Sequence, residues 1–231
     1  MQGGTSAFLR YVASGRLFNA ILLAIMLSAT LSAPGSVGAE ERLRVLALGD
    51  SLIAGYGLPA HQGFAPQLQA ALKKLGVEAR VIQGGVSGDT SAGGLARLSW
   101  MLVPKPDIAI VELGANDGLR GLPPIRTRAN IDAILRRLKS AGVKVLLTGM
   151  LAPPNMGREY GADFNAIFPE LAKAHKVMFY PFFLEGVAAR PRLNQRDGIH
   201  PNAKGAAIIA RRIAPYVKRL IEQRRSAQRS R

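Results

Sequence analysis

Cysteine is missing from all 231 residues, and its absence excludes disulfides, thiol nucleophiles, thiolate metal sites and lipid attachment through a cysteine. Acidic residues are scarce, with 15 Asp and Glu against 31 Lys and Arg, for a formal net charge of +16. Asp50, Asp89 and Asp117 have no second histidine or glutamate at ligand spacing. They read as turn and network residues rather than metal ligands, and neither a metal nor an organic cofactor is expected. The basic excess comes without aromatic interleaving or a nucleic-acid motif, so nucleic acid is not an expected partner. No repeat, low-complexity tract or internal linker divides the chain.

Nor is there an acidic residue before Glu40. Arg10 and Arg16 precede the apolar stretch Leu17 to Leu31, and small residues lead to Val37-Gly38-Ala39. That order is the pattern of an export signal over residues 1–39 with cleavage before Glu40. The apolar run, about 15 residues, is shorter than the ~20 of a permanent span, although an uncleaved anchor stays open. A periplasmic or secreted location is therefore expected. The absence of cysteine is compatible with export, since what remains is long enough for one domain with a substantial core, here residues 40–223. The last positions, 224–231, read as a basic, disordered tail. Together with Arg211, Arg212, Lys218 and Arg219 they form a basic patch that fits either a solvated face or weak contact with an anionic membrane surface.

Past Glu40, short apolar runs alternate with longer amphipathic segments, as βαβ units of a parallel sheet do. The runs predict strands at 43–48, 78–83, 107–113, 143–149 and 177–180. Between them Phe64, Leu68, Ala71, Leu72 and Leu75 recur at helical spacing, as do Ile131, Ile134, Leu135 and Leu138, then Phe164, Ile167, Phe168 and Leu171. A last helix is predicted from about Ala203 to Arg224, with Ile208, Ile209, Ile213, Val217, Leu220 and Ile221 inward and a kink at Pro215. Trp100, the single tryptophan, is assigned to the core. The reading is one α/β domain with helices on both faces of the sheet, and a monomer is the simplest state.

Gly49-Asp50-Ser51-Leu52 lies where the first strand stops. Ligands of open α/β sheets bind beyond the carboxyl ends of the strands, so a hydroxyl held there is placed for chemistry. A Gly-Asp-Ser turn is also ordinary punctuation, and alone it fits a turn as well as a nucleophile. Asp197-Gly198-Ile199-His200-Pro201-Asn202 supplies what a serine nucleophile needs, a base and an acid to fix its tautomer. His61, before a helix, and His175, at a helix end beside Lys173 and Lys176, fit capping or solvation better. Two glycine-rich loops, Gly84 to Thr90 and Gly114 to Gly118, fall at strand ends on the same edge. Their backbone N–H groups and the Asn116 amide are donors of the kind that acyl transfer needs around an oxyanion; each loop taken singly fits better as a turn whose polar groups satisfy the backbone.

Taken in order, these segments resemble the blocks of the SGNH (GDSL-type) hydrolases, and within them the secreted bacterial thioesterase I/lysophospholipase/arylesterase group. The resemblance spans the whole mature domain. It implies a flavodoxin-like three-layer α/β/α sandwich with a central parallel sheet of about five strands. It also implies Ser51 as nucleophile, Asp197 and His200 as the other triad members, and Ser51 N–H, Gly88 N–H and the Asn116 amide as the oxyanion hole. The family carries a loop after its asparagine that shapes the acyl site; Leu119-Arg120-Gly121-Leu122-Pro123 stands there. Leu119, Leu122, Pro153, Pro154 and Met156 are the expected apolar contacts for longer acyl or aryl groups. The function expected is hydrolysis of small acyl esters or thioesters. A carbohydrate O-acetyl esterase is the enzyme alternative, and a lipid- or envelope-binding module is the alternative outside enzymes.

Overall fold

The computed structural model describes residues 42–229, and side chains up to 227. The expected export signal, 1–39, lies outside the described residues. Strands β1 (Leu43–Gly49), β2 (Ala79–Gly85), β3 (Ile108–Glu112), β4 (Lys144–Thr148) and β5 (Met178–Tyr180) form one sheet in the order β2-β1-β3-β4-β5. Every pairing is parallel. All five runs became strands within two residues of the predicted ends, because a strand covered on both faces reads as an unbroken apolar run. In β3 every residue is buried.

The helices are α1 (Ser51–Ala54), α2 (Phe64–Lys74), α3 (Ser91–Ala96), α4 (Leu98–Leu102), α5 (Ala115–Leu119), α6 (Pro124–Ser140), α7 (Arg158–His175) and α8 (Ala203–Arg229). Between β1 and β2 the chain steps one way across the sheet; from β2 through β5 it steps the other way. Right-handed crossovers then place α2 on one face and α3, α6 and α7 on the other. Helix α8 returns to pack along α2, and α6 packs against α3 and α7, which closes an α/β/α sandwich. The reversal occurs at β1/β3, so the crevice of the fold opens at the carboxyl ends of these two strands. Gly49 of β1 stands opposite Glu112 of β3 there.

Two expectations are corrected. Trp100 is 75% exposed, because α4 is a five-residue helix whose buried contribution is Leu98. The expected disordered tail does not begin at 224: α8 continues to Arg229. Arg224 ties the helix down by donating to the Gly142 carbonyl at 3.3 Å and pairing with Asp107 at 3.7 Å. Among the described residues no helix is long and apolar enough to cross a membrane.

Candidate active site

The site begins with a short helix cap. After Gly49, Asp50 caps α1, its Oδ1 accepting the Leu52 N–H at 3.0 Å. An acidic cap satisfies a donor that a helix start leaves without a partner, and it points the chain out of the strand. Ser51 is thus the first helical residue, half-buried at the carboxyl edge of the sheet. Arg97 fastens this edge, donating to the Gly84 carbonyl at 2.7 Å and the Gly49 carbonyl at 2.8 Å while pairing with Asp89 at 2.6 Å.

His200 arrives on the loop between β5 and α8. That loop is held by an antiparallel bridge between Asn194 and Pro201 and by Gln195, whose amide donates to the carbonyls of Tyr56 and Pro201. Gly198, at φ 78°, makes the bend between Asp197 and His200 in a backbone region that side chains disfavour. Across that bend His200 Nδ1 meets Asp197 Oδ2 at 2.8 Å, and its Nε2 meets Ser51 Oγ at 2.9 Å. Asp197 Oδ1 meanwhile accepts the backbone N–H groups of Ile199 and His200, both at 3.0 Å. The backbone N–H of His200, then its side chain, hold the Asp197 carboxyl below its usual range. Tyr56 packs on the imidazole with ring centroids 4.6 Å apart. This is the geometry of a serine activated by an oriented base.

The expected donors lie around the same serine. Asn116, in α5, donates its amide to Asp50 Oδ2 at 3.1 Å and to the Asp89 carbonyl at 2.9 Å. Gly88 has φ 83°, and its carbonyl accepts from Arg120 at 2.8 Å. Among the described residues, no backbone carbonyl takes up the N–H of Ser51 or of Gly88. Asp117 serves the scaffold, as expected of a network residue: it accepts from the Ser91 N–H at 2.8 Å, the Ser91 hydroxyl at 2.5 Å and Thr127 at 3.0 Å. His61 is exposed, and His175 is bound to Asp132 at 2.6 Å, so neither joins Ser51. No group of three or more His, Asp or Glu among the described residues is arranged to hold a metal.

Beside Ser51, Asn116 and His200 opens an apolar cleft of about 600 Å³. Leu119, Pro153 and Pro154 line it as expected, while Leu122 and Met156 do not. Leu122 is turned away because its N–H bonds the Asp117 carbonyl and its own carbonyl accepts from Tyr160. Met156 belongs to a separate depression, beside Gly121. In their place stand Leu52, Met150, Phe182, Leu184 and Ile199. The segment carrying Phe182 and Leu184 folds over the sheet edge after β5, and no sequence motif marks it. Sequence reasoning also passed over Glu112, a charged residue inside the apolar run of β3. It is fully buried behind Asp50, and its Oε2 accepts the Asp50 N–H at 3.3 Å.

Known proteins match both the sequence and the fold. The GDSL-like Lipase/Acylhydrolase family model fits residues 47–208. An arylesterase of Vibrio mimicus is 41% identical over 194 residues, covering 84% of this chain and 95% of that protein. The thioesterase 1/protease 1/lysophospholipase L1 of Escherichia coli strain K12 is 41% identical over 178 residues, covering 77% of this chain and 84% of its own. Among solved structures, that of AlinE4, an SGNH-hydrolase family esterase, is similar with a TM-score of 0.67 at 45% identity, covering 78% of this chain and 96% of that one. With Ser51 through His200 inside the matched span, and relatives this similar over most of their length, the chain belongs to the GDSL-like lipase/acylhydrolase family of SGNH hydrolases.

Proposed function

We propose that Ser51 is the nucleophile of this serine esterase and thioesterase, with His200 as its base and Asp197 orienting the imidazole. The observation that carries the reading is the unbroken chain Asp197–His200–Ser51, at 2.8 and 2.9 Å, opening on an apolar cleft. As Ser51 Oγ bonds to the substrate carbonyl carbon, its proton passes to His200 Nε2. The oxyanion forms against Ser51 N–H, Gly88 N–H and the Asn116 amide, which exchanges its bond to the Asp89 carbonyl for the oxyanion. Collapse breaks the bond to the alcohol or thiol, which leaves with the proton from His200. Water then attacks the acyl-Ser51 ester by the same route, releasing the acid and restoring the serine. Asp197 keeps Nδ1 protonated, so that Nε2 faces Ser51 as an acceptor.

The substrate class proposed is esters and thioesters with an acyl or aryl group longer than acetyl, as the width and apolar lining of the cleft support. Each methylene that leaves water for such a wall contributes about 0.8 kcal/mol, or roughly fourfold in kcat/KM. A carbohydrate O-acetyl esterase is the weaker reading, since a cleft of about 600 Å³ leaves an acetyl group largely uncontacted. A noncatalytic lipid-binding module gives no reason for the Asp197–His200–Ser51 geometry. We also read the protein as exported and monomeric, with weak contact between the basic face of α8 and anionic membranes. The experiment is hydrolysis of p-nitrophenyl esters from acetate upward by wild type and Ser51→Ala. The reading expects kcat/KM to climb with chain length and the variant to be inactive. A maximum at acetate refutes the acyl preference, and equal rates in the two proteins refute the nucleophile.

A further inference from the structure

Glu112 is a fully buried ionisable group to which the acyl-transfer steps give no part. Glu112 ends β3 directly opposite Gly49, and a methyl group on Gly49 would stand 2.5 Å from its Oε2. The strand before the serine thus ends in glycine because a side chain there would collide with Ile53 and the Glu112 backbone carbonyl as well as with this carboxyl. Glu112 Oε2 accepts the Asp50 N–H at 3.3 Å, which brings the two buried acidic residues together. Two like charges so near one another in a site shut off from water repel, so one of the two acids keeps its proton.

The surroundings decide which group carries it. Asp50 receives Leu52 N–H at 3.0 Å and the Asn116 amide at 3.1 Å. Glu112 receives only the long bond from Asp50 N–H, and its Oε1 is a buried atom with no partner. A bare charge is costly there, while a neutral acid is not. Arg97, at the junction of α3 and α4, is occupied by Asp89 and two backbone carbonyls. His200 faces Asp50 from the loop before α8, and the β4 neighbour is the neutral Thr148. Burial and the nearby Asp50 charge push the Glu112 acid well above its ordinary value.

We propose that Glu112 is a positioning residue for the reaction: as a neutral carboxylic acid it donates its proton to Asp50, and the joined pair holds the Asn116 amide toward the oxyanion. The inference rests on the reading of Asn116 as an oxyanion donor. It gives Asp50 a second task besides capping α1. The shared proton spreads the negative charge of Asp50 away from the place where the oxyanion forms, and fixes the one carboxylate oxygen that Asn116 meets.

The test compares Glu112→Gln and Glu112→Leu in full-length protein, with kcat and KM measured separately. Glutamine keeps a donor toward Asp50 and is expected to hold kcat within about threefold of wild type. Leucine removes the donor and is expected to lower kcat by at least about 30-fold, with KM within about twofold. In an Asn116→Ala background, Glu112→Leu is expected to cost almost nothing further, because both changes act through one amide. Infrared spectra should show a protonated-carboxyl band in wild type that Glu112→Gln lacks. Wild-type kcat in Glu112→Leu, equal losses in both variants, full additivity with Asn116→Ala or absence of the band overturns the proposal. Should Glu112→Leu fail to fold, Glu112→Gln and the band decide alone. Ser51→Ala separates the two readings. Activity surviving in that variant refutes the nucleophile, whereas an inactive Ser51→Ala beside a fully active Glu112→Leu refutes only the role of Glu112.

Discussion

Replacing Asp197 by asparagine tests the site through a near-isosteric change. In the native site Oδ2 faces His200 Nδ1 at 2.8 Å, while Oδ1 accepts two backbone N–H groups at 3.0 Å. An asparagine has one oxygen to serve both places. If its oxygen stays with the two N–H groups, its NH₂ faces Nδ1; the imidazole then carries its proton on Nε2 and cannot accept from Ser51. The flipped amide keeps the correct tautomer but sets NH₂ against two backbone donors, giving up two hydrogen bonds to keep one. The first arrangement therefore wins. Loss of the correct tautomer costs on the order of 10⁴ in turnover, about 5.4 kcal/mol of transition-state stabilisation. Steady-state kinetics on a p-nitrophenyl ester should show kcat down about 10⁴-fold and KM within about threefold. Asp197→Ala should be no worse than about tenfold from Asp197→Asn, since the charge and the tautomer lock are lost in both. Because Asp197 is exposed, thermal unfolding should barely change. Its pKa is lowered, so its charge persists below the usual carboxylate range and is lost only at still lower pH. An Asp197→Asn enzyme retaining more than about 10% of kcat would refute the orienting role.

Asn116→Ala should lower kcat by about 100- to 1000-fold, the usual worth of one oxyanion donor, with KM little changed; a loss confined to KM contradicts that role. Arg97→Ala unties the ends of β1 and β2 and leaves the Gly49 and Gly84 carbonyls without their donor, so urea unfolding should show a loss of about 3 kcal/mol, whereas a midpoint within error of wild type contradicts the account. Glu112 has a folded pKa raised above its ordinary 4.5, so the stability it contributes is present below that value and is lost as pH rises toward the folded one. From about pH 5 upward Glu112→Gln should therefore gain on wild type by up to ~1.4 kcal/mol per pH unit, and parallel stability curves contradict a neutral buried acid.

The strands and the turns that carry Ser51 and His200 were legible for the same reason: both are local. A buried parallel strand writes itself as an apolar run, as at Ile108 to Val111, and a turn that must display a side chain has few residue choices, as at Gly49-Asp50-Ser51 or Asp197-Gly198-Ile199-His200. The walls of the cleft were legible only in part. Leu119 and Pro153 follow the strands that place them, but Leu122 and Met156 are turned aside by hydrogen bonding and packing of their own loops. Phe182 and Leu184 reach the cleft through the path of a loop with no motif. Trp100 shows the limit of composition, since apolar character alone does not bury a side chain on a five-residue helix. In α8, a cluster of arginines suggested a solvated end, yet Arg224 finds Gly142 and Asp107, partners far away in sequence. Glu112 was legible and passed over: a carboxylate inside a fully apolar strand is itself a signal of a paired or neutral acid.

The claim at the centre of the account is that the Ser51 hydroxyl becomes acylated. An organophosphate that reacts with activated serines, followed by peptide mass mapping, tests it most directly. The account predicts one adduct per chain, on Ser51, with activity lost in proportion to labelling, and no adduct in Ser51→Ala or in wild type saturated with substrate. An adduct on another residue with activity abolished, or full activity with Ser51 modified, would contradict it.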